Sequence, residues 1–264
     1  MKPAPFAYAR PKDWSDAVQL VGAGARPCAG TQSLGPLLNL RLAQPEKIAD
    51  LRHLPGYAGV ALADGAVRIG AGTTHAAIED GAVPGRVGEI MAAVARGIAY
   101  RPVRNRGTIG GSLAHADPAA DWVAVLPALG ATAIALGRTG ERRIAATQFV
   151  TGIFETALAA DELLRFIEVP VLPADARWGH WKFCRKVGEF SKATACVLAW
   201  PGRPPRAVLA ALDGPPLVIE DASTLMKDPI SEAGRIASHV AGLAPWRRAL
   251  AETALRRAVE KMAA

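Results

Sequence analysis

The spacing of apolar positions changes period repeatedly along this chain, and each change marks a boundary between a short helix and a short strand. Trp14, Ala17, Leu20 and Val21 recur at helical intervals, which predicts a helix over Lys12–Val21 ending before Gly22. Arg26–Ala29 reads as a short buried strand. It runs into the loop Gly30-Thr31-Gln32-Ser33-Leu34-Gly35-Pro36, which opens a second helix through Leu37, Leu38 and Leu40. Lys47–Asp50 reads as another strand, so a first β/α unit spans about residues 1–55.

Val60–Leu62 and Val67–Ile69 flank Asp64-Gly65, the pattern of a hairpin. Thr73-Thr74 is suited to cap a short helix, Gly88–Ile98 predicts a longer one, and Asp121 is placed to cap a helix over Trp122–Leu129. Ala131–Leu136, Arg142–Ala145 and Leu163–Val169 read as strands. Pro170–Asp175 is the best linker in the chain and divides it into domains at 1–172 and 176–264. Strands are expected beyond it at Trp178–Arg185, Ala195–Trp200, Arg206–Leu212 and Leu217–Ile219. Helices follow at Ser231–Ala241 and Pro245–Met262, the latter with Pro245 near its first turn.

Composition narrows the classes. With 264 residues, 50% of them apolar, the chain can bury a sizeable core. No apolar run reaches the ~18–20 residues of a membrane span. The start, Met1-Lys2-Pro3-Ala4-Pro5, lacks the apolar core of a signal peptide, so the cytoplasm is the expected compartment. Cys28, Cys184 and Cys196 show no paired spacing, which argues against disulfides, structural zinc or an iron–sulfur cluster on this chain; any metal chemistry is expected from a partner. The net charge of +7 is dispersed. Its densest cluster, Arg247, Arg248, Arg256, Arg257 and Lys261, lies on a helix that also carries Glu252 and Glu260 and an apolar stripe of Leu255, Val259 and Met262. With few aromatics among the basic residues, nucleic acid is not an expected partner.

Chemistry concentrates in Arg104–Asp121. Thr108-Ile109-Gly110-Gly111-Ser112 offers backbone N–H groups that no Cβ shields, and His115, Asp117 and Asp121 follow within reach of polyol hydroxyls. Gly30–Gly35 shares the design: small residues, hydroxyls and a turn leading away from a buried segment. Two such bends could hold a diphosphate from opposite sides, each charge-assisted hydrogen bond being worth about 1.5–3 kcal/mol. Other motifs fail. Thr31-Gln32-Ser33-Leu34-Gly35 resembles a nucleophile elbow, but its leading glycine comes one place early, at Gly30. Gly22-Ala23-Gly24 and Gly70-Ala71-Gly72 lack the third glycine of a Rossmann fingerprint. His115-Ala116-Asp117 supplies only two metal ligands, which favours polar hydrogen bonding over a metal site.

On these residues the chain resembles the FAD-binding medium subunit of the molybdenum hydroxylases, the carbon monoxide dehydrogenase and xanthine dehydrogenase family. The resemblance rests on Ala29-Gly30-Thr31-Gln32-Ser33-Leu34-Gly35-Pro36 with Asn39-Leu40-Arg41-Leu42, and most specifically on Thr108–Asp121; Lys182 with Arg185-Lys186-Val187-Gly188-Glu189-Phe190 adds weaker support. It implies an α+β fold: a two-subdomain FAD-binding module of the vanillyl-alcohol oxidase-like (PCMH) type, with subdomains of about 1–55 and 56–172, then a small α/β C-terminal domain. It implies that Ala29–Leu34 and Thr108–Ser112, through Gly110 and Gly111, bind the FAD diphosphate, and that His115, Asp117 and Asp121 reach ribose and ribityl hydroxyls. Leu164 matches a position packed near the flavin rings, and Lys182 with Glu189 matches polar positions around them. Ile98 either covers one flavin face or is a core residue of its helix. Lys182 either holds negative charge on the reduced flavin or is a surface lysine, and Phe190 either lies near the flavin or belongs to the core.

Many relatives carry a glycine pair in the first loop, where this chain has Thr31. Threonine resists positive φ, so either the loop uses an ordinary backbone there or its phosphate contacts differ. The resemblance further implies an oxidoreductase whose partners are a large molybdopterin-binding subunit and a small subunit with two 2Fe–2S iron–sulfur clusters, assembled as a dimer of heterotrimers. This chain would pass electrons from those clusters to an external acceptor. The alternative is a stand-alone vanillyl-alcohol oxidase-like flavin oxidoreductase, for which the chain looks short of a substrate domain.

Overall fold

The computed structural model of the chain describes residues 2–262. Its first unit holds β1 (Ala7–Ala9), α1 (Trp14–Gly22), β2 (Arg26–Cys28), α2 (Leu34–Asn39) and β3 (Lys47–Asp50). The three strands form a parallel sheet in the order β1-β3-β2. Asp13 caps α1, its carboxylate accepting from Asp16 N. Sequence patterning does not find β1, a three-residue edge strand between prolines. A tertiary anchor fixes it: the Tyr8 hydroxyl donates to buried Asp50, which Arg52 also grips at 2.7 Å.

The second unit runs through β4 (Val60–Ala63), β5 (Ala66–Gly70), α3 (His75–Glu79), α4 (Gly85–Arg96), α5 (Arg101–Arg104), α6 (Ile109–His115) and α7 (Asp121–Ala128). It continues with β6 (Thr132–Gly137), β7 (Gly140–Ala145), α8 (Ala146–Phe149), β8 (Val150–Gly152), β9 (Glu155–Thr156) and β10 (Leu163–Pro170). Five strands pair antiparallel in the order β4-β5-β10-β6-β7. Helix α7 is buried along its whole length, with Trp122 fully enclosed. That burial explains its unbroken apolar run, since no face of the helix meets water.

The third unit holds β11 (Arg177–Phe183), β12 (Ala193–Ala199), β13 (Arg206–Ala210), β14 (Leu217–Ile219), α9 (Ser223–Lys227), α10 (Pro229–His239) and α11 (Pro245–Met262). Its four strands are antiparallel in sequence order. Alternate residues feed two cores. Ala195, Val197, Ala207 and Leu209 pack with α10 and α11, whereas Cys196, Leu198, Val208 and Ala210 join the core around α7. A sheet covered on both sides needs apolar residues at every position, hence the continuous run in β12.

Two departures from the sequence reading lie near the glycine pair. Gly110 and Gly111 are not in a loop but in the first turn of α6, which Thr108 caps by accepting from Gly111 N at 3.0 Å. Asp121 does not cap α7; Ala120 holds that position and Asp121 is the first helical residue. Its carboxylate turns toward β11 instead, where Lys182 Nζ donates to Oδ2 at 3.0 Å.

His75 ties α3 to the core, its Nδ1 accepting from Trp122 Nε1 at 3.1 Å. Burial, with the Arg104 charge adding to it, lowers its pKa to about 4 from an ordinary 6.5. A folded-state pKa below the unfolded one means that stability is fully present above pH 6.5 and is lost as the pH falls toward 4. In urea titrations across that window, His75→Gln, which keeps an acceptor for Trp122, is expected to flatten the loss by up to about 1.4 kcal/mol per pH unit; an unchanged slope contradicts the assignment. Gly179 of β11 lets α11 approach: a Cβ there would lie 1.8 Å from Ala258 O. Gly179→Val is expected to cost about 3 kcal/mol, read as a fall in thermal midpoint, and an unshifted midpoint contradicts that packing.

Candidate functional site

A cleft of about 780 Å³ opens where the three units meet. Ala29, Gly30, Thr31, Gln32, Ser33 and Leu34 line it from the first unit. Ile98, Thr108, Gly110, Gly111, Ser112, His115, Asp117, Asp121 and Leu164 line it from the second, and Lys182 and Glu189 from the third. All seventeen residues singled out from the sequence therefore border one space, of a size suited to a small-molecule ligand.

The first loop touches the second unit backbone to backbone. A Cβ on Gly30 would fall 1.9 Å from Arg106 O and 2.8 Å from Gly107 Cα, so only glycine fits. Thr31 adopts φ 58°, the left-handed region, so the loop keeps the geometry that glycine gives without effort. The strain of a β-branched residue there is about 1–2 kcal/mol. The Thr31 hydroxyl donates to Gly30 O at 2.8 Å and Gln32 Nε2 donates to the same oxygen at 2.9 Å, which secures the bend. The N–H groups of Thr31, Gln32, Ser33 and Leu34 find no acceptor among the described residues. Four consecutive free donors beside a left-handed residue form an anion-binding concavity.

The glycine pair works differently. Gly110 N donates to Ala71 O at 2.8 Å, Ile109 N to Thr73 O at 3.0 Å and Ser112 N to Thr108 O at 3.0 Å. With Gly111 N held by Thr108, the amides expected to face a phosphate are engaged within the protein. A Cβ on Gly110 would sit 2.4 Å from that of Ala71, so Gly110 serves close packing against the end of β5. Ala71 is in turn held by Arg165 O at 3.0 Å, where β10 slips register between Leu164 and Phe166. This bulge places Leu164 on the cleft.

His115 packs against Phe154 with ring centroids 5.0 Å apart, and burial lowers its pKa against the opposing charge of Asp117. Asp117 Oδ1 accepts from Ala119 N at 2.9 Å, an Asx turn that leads the chain toward α7. Strand period puts His180 and Lys182 on the same face of β11, toward Asp121. Lys182 Nζ donates to Asp121 Oδ2 at 3.0 Å and to Gly97 O at 2.8 Å. Lys182 is therefore part of an ion pair rather than a loose surface side chain. Glu189 pairs with Arg185 at 3.3 Å, and Phe190 stands exposed at the rim of the same cleft.

Sequence reasoning missed Arg104. Buried and paired with Glu79 at 2.7 Å, it donates to Ile98 O at 2.9 Å and Ala99 O at 3.1 Å. With Lys182 on Gly97 O, it fixes three successive carbonyls of the turn that presents Ile98. Ala99 is left-handed there, and a Cβ on Gly188 would lie 2.8 Å from Ala99 O. Arg101-Pro102-Val103-Arg104 looks like loop in sequence, and Glu79 is 25 positions away. Nothing local marks the pair.

No helix among the described residues is long and apolar enough to cross a membrane. Residues 4–172 match the family described as the FAD binding domain in molybdopterin dehydrogenase. The chain is 34% identical to the carbon monoxide dehydrogenase medium chain of Afipia carboxidovorans, over 99% of this chain and 98% of that one. It is 37% identical to the nicotine 6-hydroxylase medium subunit of Paenarthrobacter nicotinovorans, over 75% of this chain and 70% of that one. Among solved structures, a Cu,Mo-CO dehydrogenase chain superimposes with a TM-score of 0.91 at 32% identity, covering 99% of both chains. Quinoline 2-oxidoreductase from Pseudomonas putida 86 superimposes with a TM-score of 0.85 at 28% identity, covering 100% of this chain and 98% of that one. A free-amide loop, a two-sided cleft and these likenesses agree: the chain belongs to the FAD-binding subunits of the molybdenum hydroxylase family of oxidoreductases.

Proposed function

We propose that this chain is the electron-transfer subunit of a cytoplasmic molybdenum hydroxylase, taking electrons from two 2Fe–2S clusters on a small partner and releasing them to an external acceptor. A large molybdopterin-binding partner oxidises the substrate, and the assembly is a dimer of heterotrimers. Residues 1–172, as subdomains 1–55 and 56–172, hold FAD; residues 176–264 close the cleft as a C-terminal domain. One observation carries the reading: four unpaired backbone donors in the first loop open into the same cleft as Lys182, His115 and Asp117.

The residues present fit FAD. The Thr31–Leu34 amides would hold the diphosphate, and the hydroxyl of Ser112 with His115 and Asp117 would serve ribose and ribityl oxygens. Ile98 and Leu164 supply apolar contacts to the ring system, with Ile98 held in place by Arg104. Lys182 sets a positive charge at the cleft, and Glu189 lies at the other polar position near the rings. Bound FAD supplies one- and two-electron redox chemistry, and the protein's share is orientation, water exclusion and electrostatics.

Gly30→Val drives the first loop off Arg106 and is expected to lower the FAD content of the purified complex at least tenfold, a loss of about 1.4 kcal/mol or more. Gly35→Ala meets no atom within 4 Å and is expected to keep its FAD. Flavin released by denaturation and counted by absorbance decides it. Full FAD content in Gly30→Val, or loss in both variants alike, contradicts the role given to the loop.

A further inference from the structure

Behind Lys182 lie two polar atoms with nothing to bond. Asp121 Oδ1 and His180 Nε2 are both sealed from solvent and have no hydrogen-bond partner, yet they face each other at 3.6 Å. The other oxygen of Asp121 holds Lys182, whose ammonium also borders the cleft. One cation is therefore shared between a buried carboxylate and the ligand space. We propose that Lys182, Asp121 and His180 form a charge relay: negative charge arriving in the cleft draws Lys182 toward it, and His180 takes a proton from water to replace Lys182 on Asp121. The proposal rests on the flavin reading given above.

The balance is simple. Electrons reach the cleft from a one-electron donor of the iron–sulfur class, and a proton from water adds to the imidazole of His180: an N–H bond forms, an O–H bond of water breaks, and the hydroxide stays in solvent, where a pH indicator reads it. The protonated ring then donates to Asp121 Oδ1, giving both orphaned atoms a partner. One charged group near the ring draws a proton to it and two oppose it. Burial holds the His180 pKa at about 4; Asp121 on α7 raises it, and Lys182 on β11 and Lys261 on α11 lower it. The residue opposite on β12, Cys196, is a buried neutral thiol. Withdrawing Lys182 removes one of the two opposing cations and leaves Asp121 without its ion-pair partner, so the balance at the ring shifts toward binding a proton. In this relay His180 is a positioning residue acting through Asp121 and Lys182.

The test counts protons in the assembled complex. FAD is quantified first; a complex without FAD on this chain sinks the flavin reading itself, before the relay is addressed. The complex is then reduced anaerobically with a photochemical reductant in weakly buffered neutral solution containing a pH indicator. Wild type is expected to take up one more proton per FAD than His180→Asn, and one more than Asp121→Asn. Clusters and molybdenum cofactor are common to all three proteins, so the difference isolates this site. Equal proton counts overturn the relay. Where neither variant assembles, a redox-difference infrared spectrum of wild type with ring-labelled histidine decides: imidazolium bands gained on reduction support it, and an unchanged histidine spectrum overturns it.

Discussion

A contact that only a hydrogen atom permits organises this protein. At Gly30 the first unit meets the carbonyl of Arg106 so closely that no side chain can intervene. That approach brings the bend after β2 against the chain entering α6, and Thr31 to Leu34, whose amides find no acceptor among the described residues, line the shared cleft. The neighbouring glycine pair has a complementary task. Gly110 lies on Ala71, and Ala71 is hung from the bulge of β10, so the second wall of the cleft is braced by the five-stranded sheet. One wall offers donors, and the other holds its position.

The third unit adds charge rather than donors. Strands β12 and β13 of its sheet are apolar on both faces and lie between α7 and α11, and α11 packs along β11 as well. Lys182 is delivered to Asp121 and Gly97 O by a strand that α11 packs against, and the turn carrying Ile98 is fixed from two directions, by Lys182 and by Arg104. Ion pairs this enclosed carry a desolvation penalty comparable to their attraction. Their value lies in geometry: they hold a left-handed Ala99 and fix Ile98 at the cleft.

Much of this was legible in the sequence. The helices of the first unit, α10 and α11 of the third, the hairpin around Asp64-Gly65 and the bend after β2 followed from period and turn chemistry, because each depends on neighbours within a few residues. Elements fixed by distant partners were not legible. Strand β1 exists through Tyr8 and Asp50, and α5 through Arg104 and Glu79, while β8 and β9 are too short to show a period. The glycine pair looked like a loop because glycine weakens helices, yet the Thr108 cap and the contact with Ala71 secure the turn. Thr31 was the sharpest uncertainty. The fold answers it by retaining the left-handed bend, with the threonine hydroxyl bonded back to Gly30 O.

The account stands on where the diphosphate sits. An electron-density map of the assembled complex with FAD bound tests it most directly. The phosphate oxygens are expected within hydrogen-bond distance of the backbone nitrogens of residues 31–34, with the amides of Gly110 and Gly111 still turned to their protein acceptors. Density for the diphosphate elsewhere, or those four nitrogens left facing solvent beside bound FAD, would contradict it.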